Sequence, residues 1–158
     1  MAKVANIPQQ VSIASMMAQC AVANSHRRVP IELGDDEIAI LLATNWQAAA
    51  DDMLPSSSWG FLYRKTETEP NWDAIVYGDW ASDPNVMDTF FTGWDNTNQA
   101  GQITDRQYIV YPFPIVLVRQ PSIIFAGTIN TYLAVTCYYL RERVGKDELA
   151  RLMVKDHH

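Results

Sequence analysis

The sequence predicts a mainly β protein: an antiparallel, jelly-roll-like β-sandwich with a short N-terminal helix or arm and a C-terminal helix. Three observations carry this expectation. Residues 108–144 are crowded with Val, Ile, Tyr, Phe and Thr, which suit a pleated, half-buried surface, and breaks fall at Arg119-Gln120-Pro121 and at Gly127. About seven or eight short strand-like segments follow one another, separated by turns of uneven length. The chain has 158 residues, 48% hydrophobic and 19% charged, which is enough for one ordered domain with a sizeable core.

In chain order, residues 1–28 read as an N-terminal arm, 29–144 as the sandwich and 145–158 as a C-terminal helix and tail. Ile13, Met16, Met17 and Cys20 recur at helical spacing, so 12–24 reads as a short amphipathic helix. Gly34-Asp35-Asp36 signals a turn, and the apolar run 37–43 after it reads as a strand buried on both faces. Residues 45–52 fit either a helical turn or a continuation of that strand. In 59–65, Trp59, Phe61 and Tyr63 alternate with Gly60, Leu62 and Arg64, giving a strand with an aromatic face and Trp59 in the core. Residues 73–80 read as another short strand. Asp83-Pro84 has the form of a helix start, and Val86, Met87, Phe90 and Phe91 would give a helix over 85–91 its apolar face.

The Gly- and amide-rich stretch 93–105 reads as a long surface loop. Pro112 and Pro114 cannot donate to a ladder, which places them at a sheet edge or bend. Strands are expected at 116–118, 122–126 and 128–143. In the last of these, Leu133, Val135, Cys137 and Tyr139 face one way, and Tyr132, Ala134, Thr136 and Tyr138 the other. Residues 146–155 read as a helix with Leu149, Leu152 and Met153 in one stripe. It is too short to hold alone in water, so it must dock on its own sheet or on a neighbour. His157-His158 reads as either a tag remnant or a natural tail.

Composition narrows the function classes. The net charge of −6 argues against a protein whose task is to neutralise nucleic-acid phosphates. The basic runs His26-Arg27-Arg28 and Arg64-Lys65 are too short for a basic arm, although 106–155 carries a basic excess. Cys20 and Cys137 are read as free thiols in a reducing compartment, with a disulfide between them left to the structure. The first residues lack the uninterrupted apolar stretch of a signal peptide, and no window is long and apolar enough to span a membrane.

No phosphate-cradling glycine motif, metal-ligand spacing or nucleophile constellation occurs, so the expectation is a non-enzyme with no cofactor and no metal. The acidic pairs, such as Asp35-Asp36 and Asp51-Asp52, sit beside turn signals, where carboxylates are ordinarily just solvated. Trp72 and Trp94 fall in loops next to Asp73 and Asp95, which makes them candidate contacts for a ligand or partner.

In architecture, residues 29–144 resemble the jelly-roll capsid proteins of small viruses: an extension without catalytic residues, short strands joined by uneven loops, and a long final strand at 128–143 followed by a tail. The resemblance implies a capsid protein located in the virion, partnered by copies of itself and by other virion proteins. The chain departs from that pattern in its N-terminal segment, where 1–24 carries only Lys3 and no basic genome-binding arm. The combined reading is a structural, self-associating protein. Its candidate interface residues are Met16 and Met17 near the N-terminus and Leu149, Leu152 and Met153 in the C-terminal helix. The alternative is a cytoplasmic carbohydrate- or peptide-binding sandwich that uses Trp72 and Trp94.

Overall fold

Strict alternation of buried and exposed side chains along a segment marks a strand packed on one face. The computed structural model describes residues 10–20, 25–50, 56–64, 85–94, 103–128 and 131–156, and it shows that alternation in most of them. The strands are β1 (Ser12–Gln19), β2 (Ser25–Arg28), β3 (Glu37–Ala50), β4 (Ser56–Tyr63), β5 (Val86–Trp94), β6 (Ile103–Leu117), β7 (Ser122–Gly127) and β8 (Thr131–Arg143), followed by helix α1 (Lys146–Asp156). They form two four-stranded sheets in the orders β1-β8-β3-β6 and β2-β7-β4-β5, and the paired strands are antiparallel. Among the described strands, every consecutive pair except β4–β5 changes sheet. This crossing, with the last strand between the first and third, is the double Greek key of a jelly roll.

The two sheets close on one core. Its members include Ala14 and Ala18 of β1, Leu41, Trp46 and Ala48 of β3, Leu62 of β4, Phe90 of β5, Leu117 of β6, Ile123 and Phe125 of β7, and Leu133, Val135 and Cys137 of β8. Trp46 stacks on Phe90 across the gap between the sheets, with ring centroids 5.9 Å apart and planes at 9°. Gly60 of β4 makes room for this packing: a Cβ there would lie 2.7 Å from Leu133 Cδ2 and 3.0 Å from Trp46 Cζ3.

The sandwich class, the long final strand with its two faces, and the edge position of Pro112 and Pro114 agree with the sequence. Leu133, Val135, Cys137 and Tyr139 are buried, whereas Tyr132, Ala134, Thr136 and Tyr138 are half-buried. Opposite the prolines the ladder jumps from Leu41↔Ile115 to Ala43↔Val110, which leaves 111–114 as a bulge on an edge strand. Residues 45–50 continue β3.

Trp59, expected in the core, is half-buried against the separate Phe61, Tyr63 and Ile124 cluster, because Gly60 and Leu62 are the β4 residues that face the other sheet. Two expected elements also fail. Residues 12–19, expected as a helix in an arm outside the sandwich, form β1, and Ser25–Arg28 forms β2, so both belong to the sheets. The spacing of Ile13, Met16 and Met17 fits a helix, but Ala14, Met16 and Ala18 also fall on one side of a strand, and pairing with β8 decides. Residues 86–94, expected as a helix leading into a loop, form β5. Thr89, Phe90, Phe91 and Thr92 favour a strand, and Asp88, Phe90 and Thr92 alternate inward. The expected loop 93–105 gives its ends to β5 and β6. The expected strand at 73–80 and the Asp83-Pro84 helix start lie outside the described residues.

Helix α1 starts with Asp147 and Glu148 in its first turn, where they complement the helix dipole. Leu149 is 9% exposed. Together with Met153 it lines a cleft against Ile31, Leu33 and Val118, so the helix docks on its own chain. No helix among the described residues is long and apolar enough to cross a membrane.

Candidate assembly surface

The register assigns each outward side chain of the β1-β8-β3-β6 sheet. Because Leu133, Val135 and Cys137 of β8 point into the core, Tyr132, Ala134, Thr136, Tyr138 and Leu140 point away from it. Their partners on β1 are Gln19, Met17, Ser15 and Ile13. Those on β3 are Ala49, Gln47, Asn45, Ala43 and Ile40, followed by Arg106, Tyr108, Val110 and Val116 on β6. The resulting face is broad and mostly apolar. Ile13, Met17, Tyr108 and Val110 are 63%, 68%, 58% and 63% exposed, and Phe113 in the neighbouring bulge is 81% exposed. Tyr108 meets Tyr138 edge-on at 6.0 Å. Met17, Ala49, Tyr132, Ala134 and Arg106 line a depression of about 360 Å³.

Charge is scarce on this face. Apart from Glu142 at one end, Arg106 is the only charged side chain in these rows among the described residues, and its Nε donates to Asn45 Oδ1 at 3.0 Å. The face is held on a fixed frame. Ser15 and Thr136 hydroxyls bond across β1 and β8 at 2.9 Å. At the β8 end, Glu37 receives Arg141 Nη2 at 2.6 Å and the Gly34 N–H at 2.9 Å, and these two bonds, Arg141 first, hold its carboxyl below the ordinary range.

Behind the face lies a buried carboxylate. Asp88 of β5 is 8% exposed and sits between the two sheets. Its Oδ2 accepts from Thr44 Oγ1 at 2.5 Å, Trp46 Nε1 at 2.8 Å and Tyr111 OH at 3.1 Å, and its Oδ1 accepts from the Thr89 N–H at 2.8 Å. Four donors on one buried carboxylate are what its removal from water requires. The carboxylate thus ties β3 and β6 of one sheet to β5 of the other. Burial, and next the Asp88 charge, raise the Tyr111 hydroxyl pKa and push the Cys137 thiol up to about 12. The geometry of Asp88 is that of a tie between sheets. Among the described residues no group of His, Cys, Asp and Glu could hold a metal.

Cys20 and Cys137 are both free and buried. The Cys20 N–H bonds Thr131 O at 2.7 Å, so its position on the ladder is six residues from Cys137 along β8. That spacing is roughly 20 Å, well beyond the ~7 Å Cα limit for a disulfide.

The sequence-derived candidates are scattered. Met17 lies on the apolar face, whereas its neighbour Met16 points inward and packs against the core. Leu149 is buried, and Leu152 and Met153 are half-buried on α1. Trp94 ends β5 opposite Ser56, with its side chain outside the described residues, as is all of Trp72. Sequence reasoning missed Ile13, Tyr108, Val110 and Asp88. A period of two would have placed Ile13 with Met17, and Tyr108 with Val110, but only the strand order puts the four on one face.

No protein-family model matches this sequence, and no curated protein matches it. Among solved structures, the chain is similar to one described as "Bacillus endospore appendages form a novel family of disulfide-linked pili", at 10% identity over 92% of this chain and 98% of that one. The TM-score is 0.37, and at that score the likeness carries no functional inference.

Proposed function

We propose that this chain is a structural, self-associating subunit, a shell-building capsid protein of the virion that works without enzymatic activity or cofactor. The observation that carries the reading is the open apolar face of β1-β8-β3-β6. Four strands about 4.8 Å apart and roughly ten residues long at ~3.3 Å each outline on the order of 600 Å². The largest exposed apolar patch on a monomeric protein is typically about 300–600 Å² and is often functional, and the apolar part of this face falls in that class. A standard protein interface buries about 800 Å² per partner, so the face together with the Phe113 bulge approaches what one stable contact needs. With so little charge on it, the face suits close packing against another sheet about 10 Å away.

Light scattering on the native protein across a concentration and salt series tests the reading. The expected result is a discrete mass several times the 17.9 kDa of one chain, increasingly favoured at high salt because the contact is apolar. A mass of 17.9 kDa under every condition overturns it. Negative-stain images of the associated species then test the shell. Closed particles of one size support the capsid reading, and open filaments retain self-association but remove the shell.

A further inference from the structure

A subunit with one self-complementary patch stops at a dimer, so a shell needs a second contact. We infer that the second contact is the free edge of β1, paired antiparallel with β1 of another copy so that two four-stranded sheets become one of eight. This rests on the self-association reading and deepens it.

The ladder shows which backbone groups are available. The Cys20 N–H bonds Thr131 O at 2.7 Å, and bonded pairs alternate along antiparallel strands. Ala18↔Leu133, Met16↔Val135 and Ala14↔Cys137 are then the bonded pairs. The N–H and C=O groups of Ile13, Ser15, Met17 and Gln19 point away from β8, where no described strand meets them. The 2.9 Å hydroxyl contact between Ser15 and Thr136 fits the closer, non-bonded type of pair.

The other three edges of the described sheets are blunted in the ways that natural sheets avoid edge pairing. β2 is four residues long and carries His26, Arg27 and Arg28. On β5 the Thr89 N–H is taken by its neighbour's carboxylate, Asp88 Oδ1, at 2.8 Å. β6 carries Pro112 and Pro114 within its bulge. β1 runs through Ser12–Gln19 with no charge, proline or glycine.

The occupant that fits is the same strand from a second copy. Antiparallel pairing about a two-fold axis uses each edge once and closes. It sets uncharged residues opposite one another, whereas a charged peptide would place its charges beside Ile13 and Met17. It also makes the two apolar faces continuous.

Residue-resolved hydrogen exchange on the native associated protein tests the contact. The expected result is that the Ile13, Ser15, Met17 and Gln19 amides exchange about a hundredfold more slowly in the associated species than in the chain diluted to monomer. Rapid exchange of these four amides in a species whose mass is multimeric overturns the edge contact and leaves self-association standing. A chain that stays at 17.9 kDa overturns both. Ser15→Pro supplies an independent check, because it deletes an outward donor and keeps the backbone ladder to β8, giving up there only the exposed Ser15–Thr136 hydroxyl bond. With circular dichroism and melting near wild type, association should weaken at least about tenfold. Unchanged association by that folded variant overturns the pairing.

Discussion

On the outer face of β2-β7-β4-β5, Phe61, Tyr63 and Ile124 are 1%, 4% and 0% exposed; on the outer face of β1-β8-β3-β6, Ile13, Met17 and Val110 are 63%, 68% and 63% exposed. Both faces carry large apolar side chains at the two-residue period of a strand. The difference is that Phe61, Tyr63 and Ile124 form a second buried cluster, flanked by Trp59 and Val86, while the other face stays open. Apolar burial on the first face contributes to folding, and on the second it remains available for association. The comparison therefore separates residues that hold the fold from residues proposed to build the assembly.

Phe61→Asp should give the largest effect. It places a carboxylate in a site that is 1% exposed and removes a ring that meets Trp59 edge-on at 5.3 Å. A loss of more than about 4 kcal/mol is expected, with the variant unfolded or insoluble by circular dichroism. A folded variant with wild-type melting would mean that this face is open too, and the contrast would disappear.

Asp88→Ala comes next. It leaves Thr44, Trp46 and Tyr111 as buried donors without their acceptor, at a cost of roughly 3 kcal/mol in chemical denaturation. Asp88→Asn keeps one acceptor oxygen and should lose less. If Asp88→Ala matched wild type, the tie between the sheets would not be holding them.

Val110→Asp is the counterpart of Phe61→Asp on the open face. Val110 is 63% exposed, so the melting temperature should stay within error, equivalent to about 0.5 kcal/mol. Association should fall by about a hundredfold or more, because the new carboxylate must be desolvated in the contact. A variant that associates normally would move the contact off this face.

These substitutions also mark what the sequence could and could not disclose. β8 was legible because Leu133, Val135, Cys137 and Tyr139 alternate with Tyr132, Ala134, Thr136 and Tyr138 over a long run, and one reading fits that pattern. β1 and β5 were not. In SIASMMAQ small side chains satisfy both periods, and in VMDTFFTGW the pairs Val86-Met87 and Phe90-Phe91 mimic a helical stripe. In both, pairing with a distant strand settles the structure, and local periodicity does not contain that information. The open face was hidden for a related reason. Ile13, Tyr108 and Tyr138 become neighbours only through the order β1-β8-β3-β6. Met17 was singled out as half of a helical pair with Met16, yet the strand sends the two to opposite sides.

Glu37→Gln should have the smallest effect, and it tests whether charge at the rim of the open sheet matters to the fold. Hydrogen bonding from Arg141, and then from the Gly34 N–H, lowers the Glu37 pKa below its ordinary 4.5. A lowered folded value means that the contribution is present above about 4.5 and is lost as pH falls through the lower folded value. The Arg141 side chain is 44% exposed, so salt screens the pair. The variant should melt no more than about 2 °C below wild type at neutral pH and low salt. The gap should close in 1 M salt, and again in acid once Glu37 is protonated in both states. A gap that survives both treatments would assign the effect to the hydrogen-bonded turn at Gly34, since the ion pair would then be absent while the difference remained.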